Sequence, residues 1–156
     1  MKRIAYAALV AAALMIPAVP QELGKMIPVE VIKISTEGDA VLIEADTGDV
    51  GRGVTVESAL WDLKASAPGS VYLDTAEYLL LPEGKETILK PLIPYLQKSV
   101  RLCCWEGEIN MEEAALFLDT HSPKIRLKEY DLGMPLEILS SENGRMKLKE
   151  KTVEIR

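Results

Sequence analysis

Cysteine is scarce in this chain of 156 residues, which contains only two. Cys103 and Cys104 are adjacent, so they do not form the set of bridges that holds a small disulfide-rich domain together. Two interpretations of the pair remain: a strained vicinal disulfide, or two small apolar residues buried in a strand, which we favour. A thiolate is disfavoured in such an apolar strand, so we expect no cysteine nucleophile.

Histidine is scarcer still, because His121 is the only one. Any imidazole-based catalysis or metal site must use it, with Asp119 or Asp74 as its partner. Its position just after a predicted helix favours C-terminal capping instead. The serines lack the G-x-S-x-G and S-x-x-K patterns of nucleophilic enzymes. We therefore expect no enzyme, no catalytic residue and no cofactor.

Basic residues are outnumbered by acidic ones, 18 to 24, which gives a formal net charge of −6. Without Lys2 and Arg3 the count is 16 to 24, a net charge near −8. Such a surface repels nucleic acid and anionic lipid. We expect no nucleic-acid partner, and membrane contact only through the N-terminal segment.

The apolar run from Ile4 to Ile16 is shorter than the roughly 20 residues that a membrane-spanning helix needs. It follows Lys2 and Arg3 and precedes the small residue Ala18, a pattern typical of an export signal. A cleaved signal is favoured, and an uncleaved anchor is the alternative. Residues 1–20 therefore predict an extracytoplasmic protein, either secreted or tethered to the outer face of the membrane.

Residues 21–156 are enough for one domain with a hydrophobic core. Strands and helices alternate between Thr55 and Tyr130, and antiparallel hairpins are predicted at both ends, the second at about 135–156. The expected fold is α/β or α+β, with a mixed sheet flanked by about three helices. The tail 153–156 is expected to add an edge strand.

The predicted strands are apolar stretches bounded by turn residues. The first hairpin joins 28–35 to 40–45, and the second joins 136–139 to 146–148 across Asn143-Gly144. Further strands are predicted at 70–74, 77–81, 100–105 and 125–130.

The three predicted helices begin at recognisable caps or prolines. The first follows Thr55, and the second begins near Pro91 with Pro94 in its first turn, where a missing amide hydrogen costs little. The third follows Asn110, which together with Glu113 three residues on resembles a capping box.

Three glycines precede the first helix: Gly48, Gly51 and Gly53. Amide groups at a helix N-terminus attract anions, so a phosphate cradle is one interpretation. The spacing fits neither the dinucleotide fingerprint nor the P-loop, and Asp46 and Asp49 would repel phosphate. We favour a flexible turn that leads into the helix.

Two clusters of side chains invite a binding role. The first cluster consists of four glutamates, Glu106, Glu108, Glu112 and Glu113. It is either a calcium site or a solvated acidic rim. The spacing of the glutamates lacks the alternating ligands of a calcium loop, so we predict no metal site.

The second cluster, Tyr72, Asp74, Glu77 and Tyr78, mixes aromatic rings with carboxylates near the expected sheet edge. It is a candidate protein-contact surface. Packing of the two tyrosines in the core is the alternative, and the one we favour.

The order of these elements resembles a known family over residues 28–130. Residues 53–63 read Gly-Val-Thr-Val-Glu-Ser-Ala-Leu-Trp-Asp-Leu, and residues 69–81 read Gly-Ser-Val-Tyr-Leu-Asp-Thr-Ala-Glu-Tyr-Leu-Leu-Leu. This glycine-led helix, followed by a strand, a short polar turn and a second apolar strand, resembles the N-terminal domain of the Ger(x)C family, the C subunits of bacterial spore germination receptors. Residues 96–118 are similar to the family's next helix, buried strand and helix.

The resemblance implies a one-domain, non-enzymatic, extracytoplasmic relative that contacts membrane-bound receptor subunits in a spore-forming bacterium. It transfers no catalytic residue. The leading hypothesis is thus an exported interaction domain that works through an exposed sheet edge or loop. Two alternatives remain: a small-ligand or metal-binding module that uses the glycine segment or the acidic rim, and an exported enzyme built around His121.

Overall fold

The computed structural model describes residues 26–150. The predicted export segment at 1–20 and the predicted edge strand at 153–156 lie outside the described residues. Within residues 26–150, no helix is both long enough and apolar enough to span a bilayer.

Nine strands form two sheets within residues 26–150. Their bounds are β1 Met26–Pro28, β2 Val31–Glu37, β3 Ala40–Ala45, β4 Val50–Gly53, β5 Ser70–Tyr72, β6 Tyr78–Pro82, β7 Arg101–Glu106, β8 Ile138–Glu142 and β9 Arg145–Lys149. A small parallel sheet pairs β1 with β5, and the main sheet has the order β4-β3-β2-β6-β7-β8-β9. Strands β2, β6, β7 and β8 run parallel, and an antiparallel hairpin lies toward each edge. The predicted mixed sheet with terminal hairpins is confirmed.

Two α-helices and three 3₁₀ segments accompany the sheets in the described part of the chain: α1 Val56–Ser66, α2 Met111–Thr120, and the 3₁₀ segments Leu73–Thr75, Glu86–Tyr95 and Leu127–Glu129. Helix α1 begins at Thr55, whose Oγ1 accepts a hydrogen bond from the Ser58 amide at 3.2 Å. Helix α2 begins at Asn110, whose Oδ1 accepts one from the Glu113 amide at 3.1 Å. Both predicted caps are confirmed, because each satisfies an amide that has no partner within its helix.

The core has two halves, one on each face of the main sheet. Alternate residues of β6 divide between them: Leu79 and Leu81 pack on the half that contains α1, and Tyr78 and Leu80 pack on the half that contains α2. Cys104 belongs to the first half and Cys103 to the second; both are buried, and they do not form a disulfide with each other. The favoured interpretation of the cysteines is confirmed. Burial raises the pKa of the Cys103 thiol far above its ordinary value.

Two of the three glycines, Gly51 and Gly53, do not belong to a flexible turn, which corrects our interpretation; Gly48 lies in the bend before β4. Gly51 and Gly53 belong to β4, which pairs with β3 and packs under α1. A Cβ added to Gly51 would lie 2.1 Å from the Ala59 carbonyl oxygen of α1. The glycines are therefore required for close packing of strand against helix.

Helix α1 also supplies hydrogen-bond partners along the outer edge of β4. The Arg52 amide donates to the Asp62 carboxylate at 2.9 Å, and the Ser66 hydroxyl donates to the Val50 carbonyl at 3.4 Å. Two outward-facing backbone groups of this edge strand thus have partners on α1.

The second predicted helix does not begin near Pro91. A 3₁₀ segment runs from Glu86 to Tyr95 and contains both Pro91 and Pro94. Leu89 and Leu92, three residues apart, are its buried residues. A 3₁₀ helix has three residues per turn, so this spacing places both leucines on one face.

The strand predicted at 125–130 is also wrong. Only Arg126 forms a bridge, antiparallel to Arg101, and the chain then turns into the 3₁₀ segment Leu127–Glu129. The chain must turn away from β7 after Arg126 because β8 occupies the same side of β7 from Cys104 onward.

Candidate functional site

Trp61 is the most exposed aromatic residue described, with 73% of its surface open to solvent. The buried face of α1 carries Val56, Ala59, Leu60 and Leu63. Trp61 lies out of phase with this apolar stripe, so the helix turns it away from the core. A large apolar ring held in water on a well-capped helix is suited to contact with another molecule.

Lys64 links α1 to the 3₁₀ segment beside it. Its Nζ lies 5.2 Å from the centroid of the Tyr95 ring, within the range of a cation–π contact. Lys64 follows Trp61 by three residues, so the two share one face of α1. The exposed ring of Tyr95, 40% open to solvent, therefore lies next to the face that carries Trp61.

A shallow cleft of about 270 Å³ continues this region toward β5 and the 3₁₀ segment after it. Its lining residues are Lys64, Val71, Tyr72, Leu73, Asp74 and Tyr95. We call Trp61, Lys64, Tyr72, Asp74 and Tyr95 the aromatic surface. It brings together three aromatic rings and one charge of each sign from four elements: α1, β5, the 3₁₀ segment that follows β5, and the 3₁₀ segment that ends at Tyr95.

The structure divides the four residues predicted as a contact surface. Tyr72 is half-buried and Asp74 is exposed, and both belong to the aromatic surface. Glu77 is exposed but lines a different cleft. Tyr78 is only 3% exposed, and its hydroxyl lies 3.1 Å from the Ser122 hydroxyl. Tyr78 is thus a core residue, and the other three stay candidates for contact.

His121 is the C-cap of α2, as its position in the sequence predicted. Its ring stacks on Phe117 with centroids 4.5 Å apart, and Nδ1 lies 2.8 Å from the Thr120 hydroxyl. Neither contact involves Asp119 or Asp74, the two carboxylates proposed as its partners.

The four glutamates predicted as a calcium site or acidic rim are distributed over the end of β7, the loop after it and α2. Glu106 lies 3.8 Å from the Lys149 ammonium, and the others occupy the following loop and the first turn of α2. Within residues 26–150, no three side chains of the His, Cys, Asp and Glu types are grouped to hold a metal ion.

The start of α1 offers a poor phosphate cradle. The Thr55 hydroxyl already accepts from the Ser58 amide, and the Ser58 hydroxyl accepts from the Thr55 amide at 3.0 Å. The Asp62 carboxylate accepts a hydrogen bond from the amide of Arg52, which lies just before the helix. Three amides that could face an anion there, those of Arg52, Thr55 and Ser58, therefore already have partners within the chain.

A cluster of carboxylates lies where β2 and β6 begin. Burial raises the pKa of Glu30, and the negative charges of Asp46, Glu77 and Asp119 raise it further. The Asp46 carboxylate also accepts from the Glu30 amide at 3.1 Å, which holds it close to Glu30. Ionised Glu30 is therefore electrostatically unfavourable in the folded protein.

We expect Glu30→Gln to stabilise the protein slightly at pH 7. Because the folded-state pKa of Glu30 is raised, the native state binds the proton more tightly, and stability falls as pH rises through that pKa. The gain should be about 0.5 kcal/mol or less, since Glu30 is largely exposed, and it should vanish below pH 4. Urea unfolding at pH 7 and pH 3.5 measures it, with Glu108→Gln as control. A loss of stability at pH 7 would contradict the expectation.

Sequence analysis missed Trp61, Lys64 and Tyr95. The phase of Trp61 relative to the buried stripe was a usable signal, because it placed the ring on the outer face of α1. No comparable signal existed for Tyr95, whose orientation depends on the 3₁₀ segment.

Comparison of the chain with protein-family models, with curated proteins and with solved structures gave no match. Functional assignment therefore depends on the composition and geometry of the aromatic surface.

Proposed function

We propose that this chain is an exported, non-enzymatic protein-binding domain whose aromatic surface contacts a membrane or cell-envelope protein. The observation that carries the proposal is the exposure of Trp61, 73%, beside the exposed ring of Tyr95. Tryptophan and tyrosine are the residues that most often dominate binding energy at protein interfaces.

The shape of the surface favours a protein over a small molecule. Its cleft of about 270 Å³ is shallow, and small-molecule sites usually enclose about 300–1,000 Å³. Lys64 and Asp74 flank the rings and supply polar contacts of both signs at the rim. A partner with apolar side chains and a mixed-charge border fits this arrangement.

The sequence supports the compartment and the type of partner. Lys2, Arg3 and the apolar run after them favour export, which places the aromatic surface outside the cytoplasm. The resemblance to spore germination receptor C subunits favours a membrane-bound receptor subunit as the partner.

Capture from membranes tests the proposal. The full chain, tagged at its C-terminus, is used as bait for detergent-solubilised membranes of vegetative and sporulating source cells. We expect one membrane receptor subunit to be captured, chiefly at the sporulating stage. The captured subunit and this chain are then purified, and the affinity between them is measured.

Point variants connect that binding to the aromatic surface. Trp61→Ala should weaken the affinity by at least about tenfold, as for a central interface tryptophan. Leu116→Ala is the matched control, because Leu116 is 71% exposed on α2 and lies outside the aromatic surface. Equal affinities for the two variants would refute the assignment of the surface, and the absence of any membrane partner would refute the proposed function.

A further inference from the structure

We propose that Arg101 and Arg126 form a binding site for the phosphate group of a soluble small molecule. The two arginines line a cleft of about 560 Å³ at the amino ends of β6 and β7, with Glu77, Gln97 and Ser99 among its other lining residues. This volume lies within the range of small-molecule sites. The cleft does not include any residue of the aromatic surface.

The backbone holds the two arginines face to face. They are direct partners in an antiparallel bridge, so their side chains leave the same side of the ladder, with Cα atoms about 4.5–5.5 Å apart. The Leu127 amide donates to the Val100 carbonyl at 2.7 Å and fixes this register. Arg101 Nη1 donates to the Pro123 carbonyl at 2.7 Å, which fixes its guanidinium.

Like charges directly opposite each other in a sheet are destabilising. Both arginines are half-buried, which increases their repulsion. Across residues 26–150, neither guanidinium has a carboxylate oxygen within 4.0 Å. Among the described residues, two cations thus lie on one side of the ladder without an ion pair, and an anion between them would relieve the repulsion.

Phosphate fits this arrangement best. A guanidinium donates two parallel hydrogen bonds to a phosphate, and two guanidinium groups can engage different oxygens of one group. An anionic membrane is an extended surface, so the net charge of −6 of the whole chain opposes it more than it opposes a single phosphate group. The expected source is therefore a soluble molecule rather than a lipid headgroup.

Thermal unfolding of the full chain in neutral detergent tests the site, with inorganic phosphate as the probe. Chloride is replaced by phosphate at constant ionic strength and constant pH. At a phosphate concentration 100 times Kd, the unfolding temperature of the wild type should rise by roughly 5–10 °C. Arg126→Gln should abolish the rise, and Arg126→Lys, which keeps the charge but loses the paired donors, should reduce it. The control Lys128→Gln removes a nearby exposed cation and should keep the full rise.

The proposal would be overturned if phosphate did not raise the unfolding temperature of the wild type. It would also be overturned if phosphate raised the unfolding temperature of Arg126→Gln as well. Phosphorus NMR gives a second readout, because bound phosphate broadens its resonance in the wild type and in Lys128→Gln but not in Arg126→Gln. Vesicles of phosphatidylglycerol separate the two sources of phosphate. Arg126-dependent binding to vesicles without any response to soluble phosphate would also overturn the proposal.

Discussion

Replacing Gly51 with alanine should destabilise the domain by at least about 3 kcal/mol, the upper end of the usual cost of overpacking. The new Cβ would lie 2.1 Å from the Ala59 carbonyl oxygen and 2.5 Å from the Leu63 amide nitrogen. Both atoms belong to the backbone of α1, so no side-chain rotation relieves the clash. Helix α1 must move away from β4, which also separates Asp62 from the Arg52 amide. Urea unfolding followed by circular dichroism measures the loss.

A matched glycine outside the contact serves as the control. Gly48 has φ +87°, and an added Cβ there meets no atom within 4 Å. Asparagine tolerates the left-handed region better than other side chains, so Gly48→Asn should cost less than about 1.5 kcal/mol. If Gly51→Ala were no more costly than Gly48→Asn, the close packing of β4 under α1 would be wrong.

The second large effect is expected for Leu63→Ala, which should cost about 2–5 kcal/mol. Leu63 is fully buried in the core half that contains α1, and truncation leaves a cavity where its side chain packs. The unfolding temperature should fall by roughly 5–15 °C. Differential scanning calorimetry of the two proteins measures the change.

Trp61→Ala on the same helix provides the comparison. Because Trp61 is 73% exposed, its truncation should change stability by less than about 0.5 kcal/mol. Comparing the stability of the Leu63→Ala and Trp61→Ala variants distinguishes the two faces of α1. One face maintains the fold, and the other is available for binding. A loss for Trp61→Ala as large as that for Leu63→Ala would mean that the tryptophan has a structural role.

The elements that sequence analysis placed correctly are those with a local physical cause. The apolar spacing of α1 and the cap at Thr55 are both contained in a dozen residues. Asn143 and Gly144 adopt φ of 54° and 71°, as a two-residue turn of this type requires, and that dipeptide alone predicts the second hairpin. In each case the determining interactions join neighbours in the chain.

The errors arose where distant contacts decide the structure. Strand β4 has the sequence Val-Gly-Arg-Gly, which lacks the alternation of a strand and becomes one only between β3 and α1. Arg126 forms its single bridge on the flank of β7 that is free between Arg101 and Cys104, where β8 begins to pair.

The candidate site shows the same division. Tyr72 and Asp74 were identified because they lie close together in the sequence. Tyr95 joins them only through its contact with Lys64, 31 positions earlier in the numbering. The sequence likewise contained no indication that Arg101 pairs with Arg126. The two residues lie opposite each other only because of the path that the chain takes between α2 and β8.

The hydrogen bonds from α1 to the Arg52 amide and the Val50 carbonyl also bear on self-association. A second molecule cannot add a strand beside β4 without first displacing the helix. At the opposite edge, β9 carries Arg145, Lys147 and Lys149, and charged side chains on an edge strand disfavour the addition of another strand; Lys147 and Lys149 pair with Glu142 of β8. Cross-β aggregation of this protein should therefore start with local unfolding of α1, and conditions that keep that helix folded should keep concentrated solutions clear.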